Sequence, residues 1–361
     1  MESKGINESF LLLVRLGLDV SDETAGESIN DWDALRALAI KQGLQAIVLD
    51  GLERLPLASR PPKEKLLQWI GLAMQEEQRF AIQEKASCEL ALLLESNGLK
   101  TYVLKGLVVS ECYPKPHHRT SVDLDCFLQS DRPSETWEKG NKVVESAGYV
   151  VHRDYYKNST WLLPGLTVEN HKWLTPFRGN KKLTSLERLL QTMLREDAGD
   201  SVFEGTALHR PPVLVSALFL IEHAFSHFLH EGLTWRHVLD WMMFSRTHKD
   251  EIDWPQLDAW IDEYGFRKFY DSYHRLSLLL LGELEEENLT PVDQLMLADI
   301  WSLLDLHETV RGVRGKLALV GNTWRARWKY RHFAEINWLQ ALWIQVVGFL
   351  FMHSPELEHG D

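Results

Sequence analysis

The stretch Val122-Asp123-Leu124-Asp125-Cys126-Phe127-Leu128 alternates apolar and acidic side chains from its start, a period of two that commits this part of the chain to a β-strand. Alternate side chains of a strand share a face. Val122, Leu124, Cys126 and Leu128 are therefore expected to enter a core while the carboxylates of Asp123 and Asp125 emerge together. Paired anions on a rigid strand repel one another unless a cation lies between them. Magnesium, which takes oxygen ligands and keeps positions for substrate phosphates, suits such a pair, and manganese can use the same donors.

The rest of the chain reads as helix on either side of this segment. Asp31 caps a helix running to Gly43, and Pro61-Pro62 opens a long one that stops at Asn97-Gly98. The period changes at Lys100. Thr101 to Leu104 reads as a strand, and Gly106 introduces a short helix that ends before Pro114 and Pro116. Ser134 is placed as the cap of a helix reaching Gly148, with Tyr149 to Val151 extended after it. Thr160 to Leu163 and Leu166 to His171 flank Pro164-Gly165 as a hairpin, with Leu166 and Val168 on one face and Thr167, Glu169 and His171 on the other. Helices return after about residue 180. Pro211-Pro212 opens Val213 to His230, Trp235 to Thr247 follows, Asp253-Trp254-Pro255 starts another, and Phe266 to Leu281 continues the pattern. The expected class is α+β, divided as a helical region 1–98, an α/β core 99–180 and a helical region 181–361.

Composition narrows the function. At 361 residues, with 45% hydrophobic and 25% charged side chains, the chain can bury a large core. Its formal charge of −13 argues against a broad nucleic-acid surface. Cys88, Cys112 and Cys126 are an odd set without paired metal spacing, which fits a reducing cytoplasm, and no secretory leader is evident. No transmembrane span is expected. The apolar stretch Ile336 to Met352, behind the basic cluster Arg325 to Arg331, reads as a buried terminal helix rather than a membrane-surface one, and the basic cluster as a solvated face.

Three carboxylates, Asp123, Asp125 and Glu169, are a sufficient protein contribution to cation-dependent phosphoryl or nucleotidyl transfer. Upstream, the strand, turn and helix around Leu104-Lys105-Gly106 offer backbone N–H groups and a point charge to a triphosphate.

At these residues the chain resembles the DNA polymerase β-like nucleotidyltransferase superfamily, and more closely its uncharacterised bacterial nucleotidyltransferase branch. The residues that carry the resemblance are Val103-Leu104-Lys105-Gly106, Tyr113-Pro114-Lys115-Pro116-His117-His118-Arg119, Val122-Asp123-Leu124-Asp125 and Val168-Glu169-Asn170-His171. It implies a mixed-sheet nucleotidyltransferase core flanked by helices. Asp123 and Asp125 would bind magnesium, with Glu169 as the third catalytic and metal-binding carboxylate. An NTP, with ATP as the default, would donate NMP to an unidentified acceptor. Lys105-Gly106 stands where the superfamily usually has Gly-Ser, so the phosphate-gripping hydroxyl is absent.

Other readings of the same residues stay open. A catalytically impaired nucleotide-binding or interaction scaffold would keep the fold, and a glycosyltransferase can hold a nucleotide-sugar metal with Asp-x-Asp. Lys105 could be a solvated strand-end charge. Arg119 could pair with Asp123 or Asp125, or contact phosphate. His171 could be a general base or a structural hydrogen-bond partner. His223 and His227, four apart on one helix, could bind zinc or face the nucleotide, and Arg236 with Asp240 reads as a local ion pair.

Overall fold

The computed structural model describes residues 2–21, 29, 31–129, 132–153, 157–176, 180–197, 202–302 and 324–343. Four helices come first: α1 (Glu2–Gly17), α2 (Trp32–Gln42), α3 (Gln45–Arg54) and α4 (Lys63–Glu95). Asp31 accepts from Ala34 N at the start of α2, and Gly43 closes it in the left-handed region. Helices α1 and α3 cross at backbone contact distance: a Cβ on Gly51 would stand 2.0 Å from the Leu13 carbonyl oxygen, so only glycine fits there.

The chain then builds a six-stranded mixed sheet. Its strands are β1 (Thr101–Val103), β2 (Leu124–Leu128), β3 (Val150–His152), β4 (Asn158–Leu163), β5 (Leu166–His171) and β6 (Leu208–His209), in the order β3-β4-β5-β2-β1-β6. β2 runs parallel to β5 and antiparallel to β1, and the β4–β5 hairpin turns at Pro164-Gly165 as its sequence suggests. The one-turn helix α5 (Leu107–Ser110) links β1 towards β2, and α6 (Pro133–Ser146) follows β2. Helix α6 begins at Pro133, with Arg132 rather than Ser134 at its cap; proline favours that first position because it lacks the N–H that would go unpaired. The sheet takes β6 from residues 208–209, beyond the hairpin region, a strand too short to leave a period in the sequence.

Each face of the sheet meets a different core. Val103, Leu124, Cys126, Leu128, Trp161 and Val168 pack with Leu90 and Leu94 of α4 and Val144 of α6. On the other face Tyr102, Leu104 and Phe127 join the main helical core, which includes α7 (Lys181–Glu196), α8 (Val213–His230) and α9 (Trp235–Thr247). The N-terminal helices enter that same core: Phe10 of α1 meets Trp301 of α12 (Pro291–Ser302) edge to face. Helices α10 (Trp254–Glu263), capped by Asp253, and α11 (Arg267–Leu281) add to the body, and a short helix over Arg327–Phe333 packs Tyr330 and Phe333 into the same core.

Among the described residues, only α8 is long and apolar enough to cross a membrane, and 61% of it is buried inside the protein. Three expectations need correcting. Val122 is 63% exposed, because β2 begins only at Leu124 and Val122 lies on the approach to it. Within Arg325 to Arg331, Lys329 is buried: its Nζ donates to Asp299 Oδ2 at 2.7 Å and to the Phe228 carbonyl at 2.8 Å, so this face is not uniformly solvated. In the Ile336 to Met352 stretch, expected as a buried helix, Leu339 and Trp343 are exposed, and residues 344–352 lie outside the described residues.

Candidate active site

The parallel pairing of β2 with β5 places Asp125 directly beside Glu169. Strand alternation keeps both on the face turned towards α8, with Leu124, Cys126 and Val168 on the other. Asp125 is almost fully buried, whereas the Glu169 side chain is about one-third exposed. His171, two residues on, brings its Nε2 to 3.0 Å from Asp125 Oδ1 and 3.8 Å from Glu169 Oε2. Ligand atoms of Asp125, Glu169 and His171 all lie within 4.8 Å of one another, a group able to hold a cation. Asp123 stands outside this trio, one residue ahead of the strand.

Lys105 closes the cluster from β1. The Leu104 amide donates to the Asp125 carbonyl at 2.9 Å, which fixes the next residue over the acidic side chain. Lys105 Nζ then lies 3.3 Å from Asp125 Oδ2 and 2.7 Å from His223 Nε2. The lysine is buried and paired, not a solvated strand-end charge, because β1 ends beneath α8 rather than at the surface. Gly106 follows with φ +74°, and a Cβ there would approach the Asp123 carbonyl oxygen at 3.4 Å; the turn needs glycine on conformational grounds. Helix α5 is one turn long and buried along its length, which leaves Lys105 as the main cationic group at this turn.

The electrostatics follow from these contacts. Burial alone would raise the Asp125 pKa, but the Lys105 charge and the His171 hydrogen bond overcome it and hold the carboxyl well below its usual range. Glu169 is shifted the other way, by burial first and by the neighbouring Asp125 charge second. His223 is kept neutral by burial and by Lys105, so its Nε2 accepts a hydrogen bond from the lysine ammonium. Asn158 of β4 donates to Glu169 Oε2 at 2.6 Å and aims that carboxylate.

The cation reading meets a direct test in the donor atoms. Asp125 Oδ2 is buried without a hydrogen bond, with the Lys105 ammonium at ion-pair distance, 3.3 Å. A buried carboxylate oxygen beside a second carboxylate and an imidazole fits a divalent ion.

Arg119 has a different partner from those the sequence suggests. Its Nε and Nη2 donate to the two oxygens of Asp240 on α9 at 2.7 and 2.8 Å, and the Tyr113 hydroxyl donates to Asp240 Oδ1 at 2.7 Å. Arg119 and Asp240 are both buried, so this pair anchors the loop leading to Asp123. Arg236, expected to pair with Asp240, instead donates to the Thr120 carbonyl at 3.4 Å. His227 lies tilted against His223, with ring centroids 4.4 Å apart, but its Nδ1 pairs with Glu231 Oε2 at 2.7 Å. Among the described residues, no metal-holding group contains His223 or His227.

Sequence reasoning missed Asn158 and the Asp240 partnership. Asn158 shares the face of Thr160, which lies opposite Glu169, so hairpin register carried that signal. Nothing local links Arg119 to a residue on α9.

A family model described as an uncharacterised nucleotidyltransferase matches residues 28–282. The chain belongs to that family. The match spans α2 to α11 and so includes the sheet, both carboxylate strands and the helices that cover them. No curated protein and no solved structure matches the chain. Membership in the nucleotidyltransferase family accords with the mixed sheet flanked by helices and with the buried acidic cluster.

Proposed function

We propose that this nucleotidyltransferase transfers NMP from an NTP to an acceptor hydroxyl or phosphate with the help of magnesium. The observation that carries the reading is the lateral pairing of Asp125 with Glu169, joined by His171, around a buried carboxylate oxygen that has no hydrogen bond. Asp125 and Glu169 would hold the cation, with manganese able to replace magnesium, and Asp123 would add its carboxylate from the edge of the site. When bound, such an ion neutralises phosphate charge and favours the ionised acceptor.

The protein's own groups supply position. Lys105, now shared between Asp125 and His223, would turn to the β- and γ-phosphates, with Gly106 giving the backbone close approach. His223 would line the nucleotide side of the pocket, with His227 behind it. Arg119 would act by holding the loop before Asp123 through Asp240. In the transfer, the acceptor oxygen forms a bond to the α-phosphorus as the bond to the pyrophosphate oxygen breaks; the acceptor proton leaves to solvent beside Glu169, and pyrophosphate departs. ATP is the first donor to test because it is the most abundant NTP, and the cytoplasm is the compartment this chemistry and the free thiols suit.

Incubation with α-labelled and γ-labelled NTP tests the reaction. Label appearing in product from the α position, with pyrophosphate released, is the expected result; transfer from the γ position would make the protein a kinase. A second reading, a nucleotide-binding scaffold without turnover, draws on Lys105-Gly106 in place of Gly-Ser and on the lysine resting against Asp125. It predicts magnesium-dependent NTP binding with no pyrophosphate.

A further inference from the structure

A second histidine–carboxylate cluster lies away from the acidic strands, where the chain between α5 and β2 crosses α3 and α4. His118 is buried there between two acids: its Nδ1 lies 2.7 Å from Asp50 Oδ2 on α3, and its Nε2 lies 3.0 Å from Glu77 Oε1 on α4. His117 packs edge to face on the same ring, with centroids 4.7 Å apart, and one ligand atom from each of Glu77, His117 and His118 falls within 4.8 Å of the others. Lys115 Nζ meets the remaining Asp50 oxygen, Oδ1, at 2.5 Å.

The proton arrangement sets the chemistry. A neutral imidazole that donates from Nδ1 to Asp50 presents a lone pair at Nε2, and that lone pair faces a carboxylate oxygen at hydrogen-bond distance. Two acceptors at 3.0 Å need a cation between them, either a proton or a metal ion. Carboxylate, imidazole and metal in a row is the arrangement in which an outer acid fixes the tautomer of a ligating histidine. Two imidazoles and one carboxylate suit zinc better than magnesium, since nitrogen donors favour late first-row metals. Tetrahedral ligation at about 2.1 Å separates two donor atoms by about 3.4 Å, so the Glu77 and His118 donors need to part by only a few tenths of an ångström, with His117 drawn in from within 4.8 Å. The Glu77 side chain is 47% exposed and free to move by that much.

We propose that Glu77, His117 and His118 form a zinc site, with Asp50 as the positioning acid behind His118 and the fourth position open to water. The ion would tie the segment Pro116–His118 to α4, immediately before Arg119 and the loop that delivers Asp123. Helix α4 already touches that loop once more, through Gln83 Nε2 against the Ser121 and Val122 carbonyls at 3.4 and 3.3 Å. In the metal-free protein both ring nitrogens of His118 stand at hydrogen-bond distance from a carboxylate oxygen. Burial alone would lower the His118 pKa, but the two carboxylates overcome it and raise the value.

The test is a zinc titration of the chelator-stripped full chain against a chromogenic competitor. A Glu169→Gln background keeps zinc held by the acidic strands from being counted. One equivalent should bind, and cobalt(II) in its place should show tetrahedral visible absorption. His117→Ala and Glu77→Gln, both at the rim of the cluster, should weaken binding on the order of 100-fold, and Asp50→Asn by about 10–100-fold. Thermal melts establish that each variant is folded. Absence of zinc binding in the folded parent, or binding indifferent to both His117→Ala and Glu77→Gln, would overturn the assignment.

Discussion

Two buried ionic groups flank the acidic strand, and they are built on opposite principles. In the Arg119 group one anion meets one cation: Asp240 accepts two bonds from the guanidinium and one from Tyr113. In the Asp125 group two carboxylates crowd one another beside a lysine and two histidines, and Asp125 Oδ2 has no hydrogen bond. Each group leaves one buried polar atom without a hydrogen bond, Arg119 Nη1 and Asp125 Oδ2, so the difference lies in charge: the matched pair is neutral as a unit and suits anchoring, whereas the crowded carboxylates carry excess negative charge that suits a cation. The difference separates anchoring from chemistry within a few residues of one another.

The largest expected effect falls on the matched pair. Asp240→Asn leaves Arg119 buried without its counter-charge and should cost about 3–5 kcal/mol in urea unfolding. Burial would raise the Asp240 pKa, but Arg119 overcomes it and the folded value is lowered. The stability it contributes is present above the unfolded value of about 4 and is lost as pH falls through the folded one. The variant's stability should therefore fall less steeply on acidification than the parent's. An unchanged urea midpoint would erase the distinction between the two groups.

Next in size, Glu169→Gln should slow transfer by about 10²–10³-fold, the several kcal/mol expected of a lost metal carboxylate. The same change relieves like-charge crowding, so the melting temperature in chelator should rise. A fall would place Glu169 among the anchors. Lys105→Met should weaken NTP affinity by about 10–100-fold, the worth of a charge-assisted hydrogen bond; unaltered affinity with lower stability would make Lys105 merely the counter-ion of Asp125. Smallest of all, Arg236→Ala removes one long bond to the Thr120 carbonyl and should cost less than about 1 kcal/mol. A larger loss would mean that Arg236 shares the anchoring with Arg119.

The legible parts of the molecule are those whose information is local. Helix α8 starts after Pro211-Pro212 and α2 runs from the Asp31 cap to Gly43, because caps and prolines act within a turn. The hairpin that carries Glu169 and His171 is readable from Pro164-Gly165 and strand alternation, and with the Asp125 strand it supplies all three residues of the cluster, of which the sequence reading makes Asp125 and Glu169 the metal ligands. His171 was expected on the Glu169 face, and its bond to Asp125 fits the structural role weighed for it. What stayed hidden depends on tertiary pairing. Asp240 neutralises an arginine 121 positions away, and Asp50 and Glu77 come from two different helices to reach His118. Val122 misled because alternation continues in sequence past the point where backbone pairing begins.

The central claim is that the crowded carboxylates are a magnesium–nucleotide site. It is tested most directly by thermal shift of the full chain with each NTP, with and without magnesium, alongside Asp125→Asn. A nucleotide at 100 times its Kd should add about 2.7 kcal/mol to the parent's stability. The account predicts a shift that requires magnesium and disappears in folded Asp125→Asn. No shift with any NTP, or one indifferent to both the metal and Asp125, would contradict it.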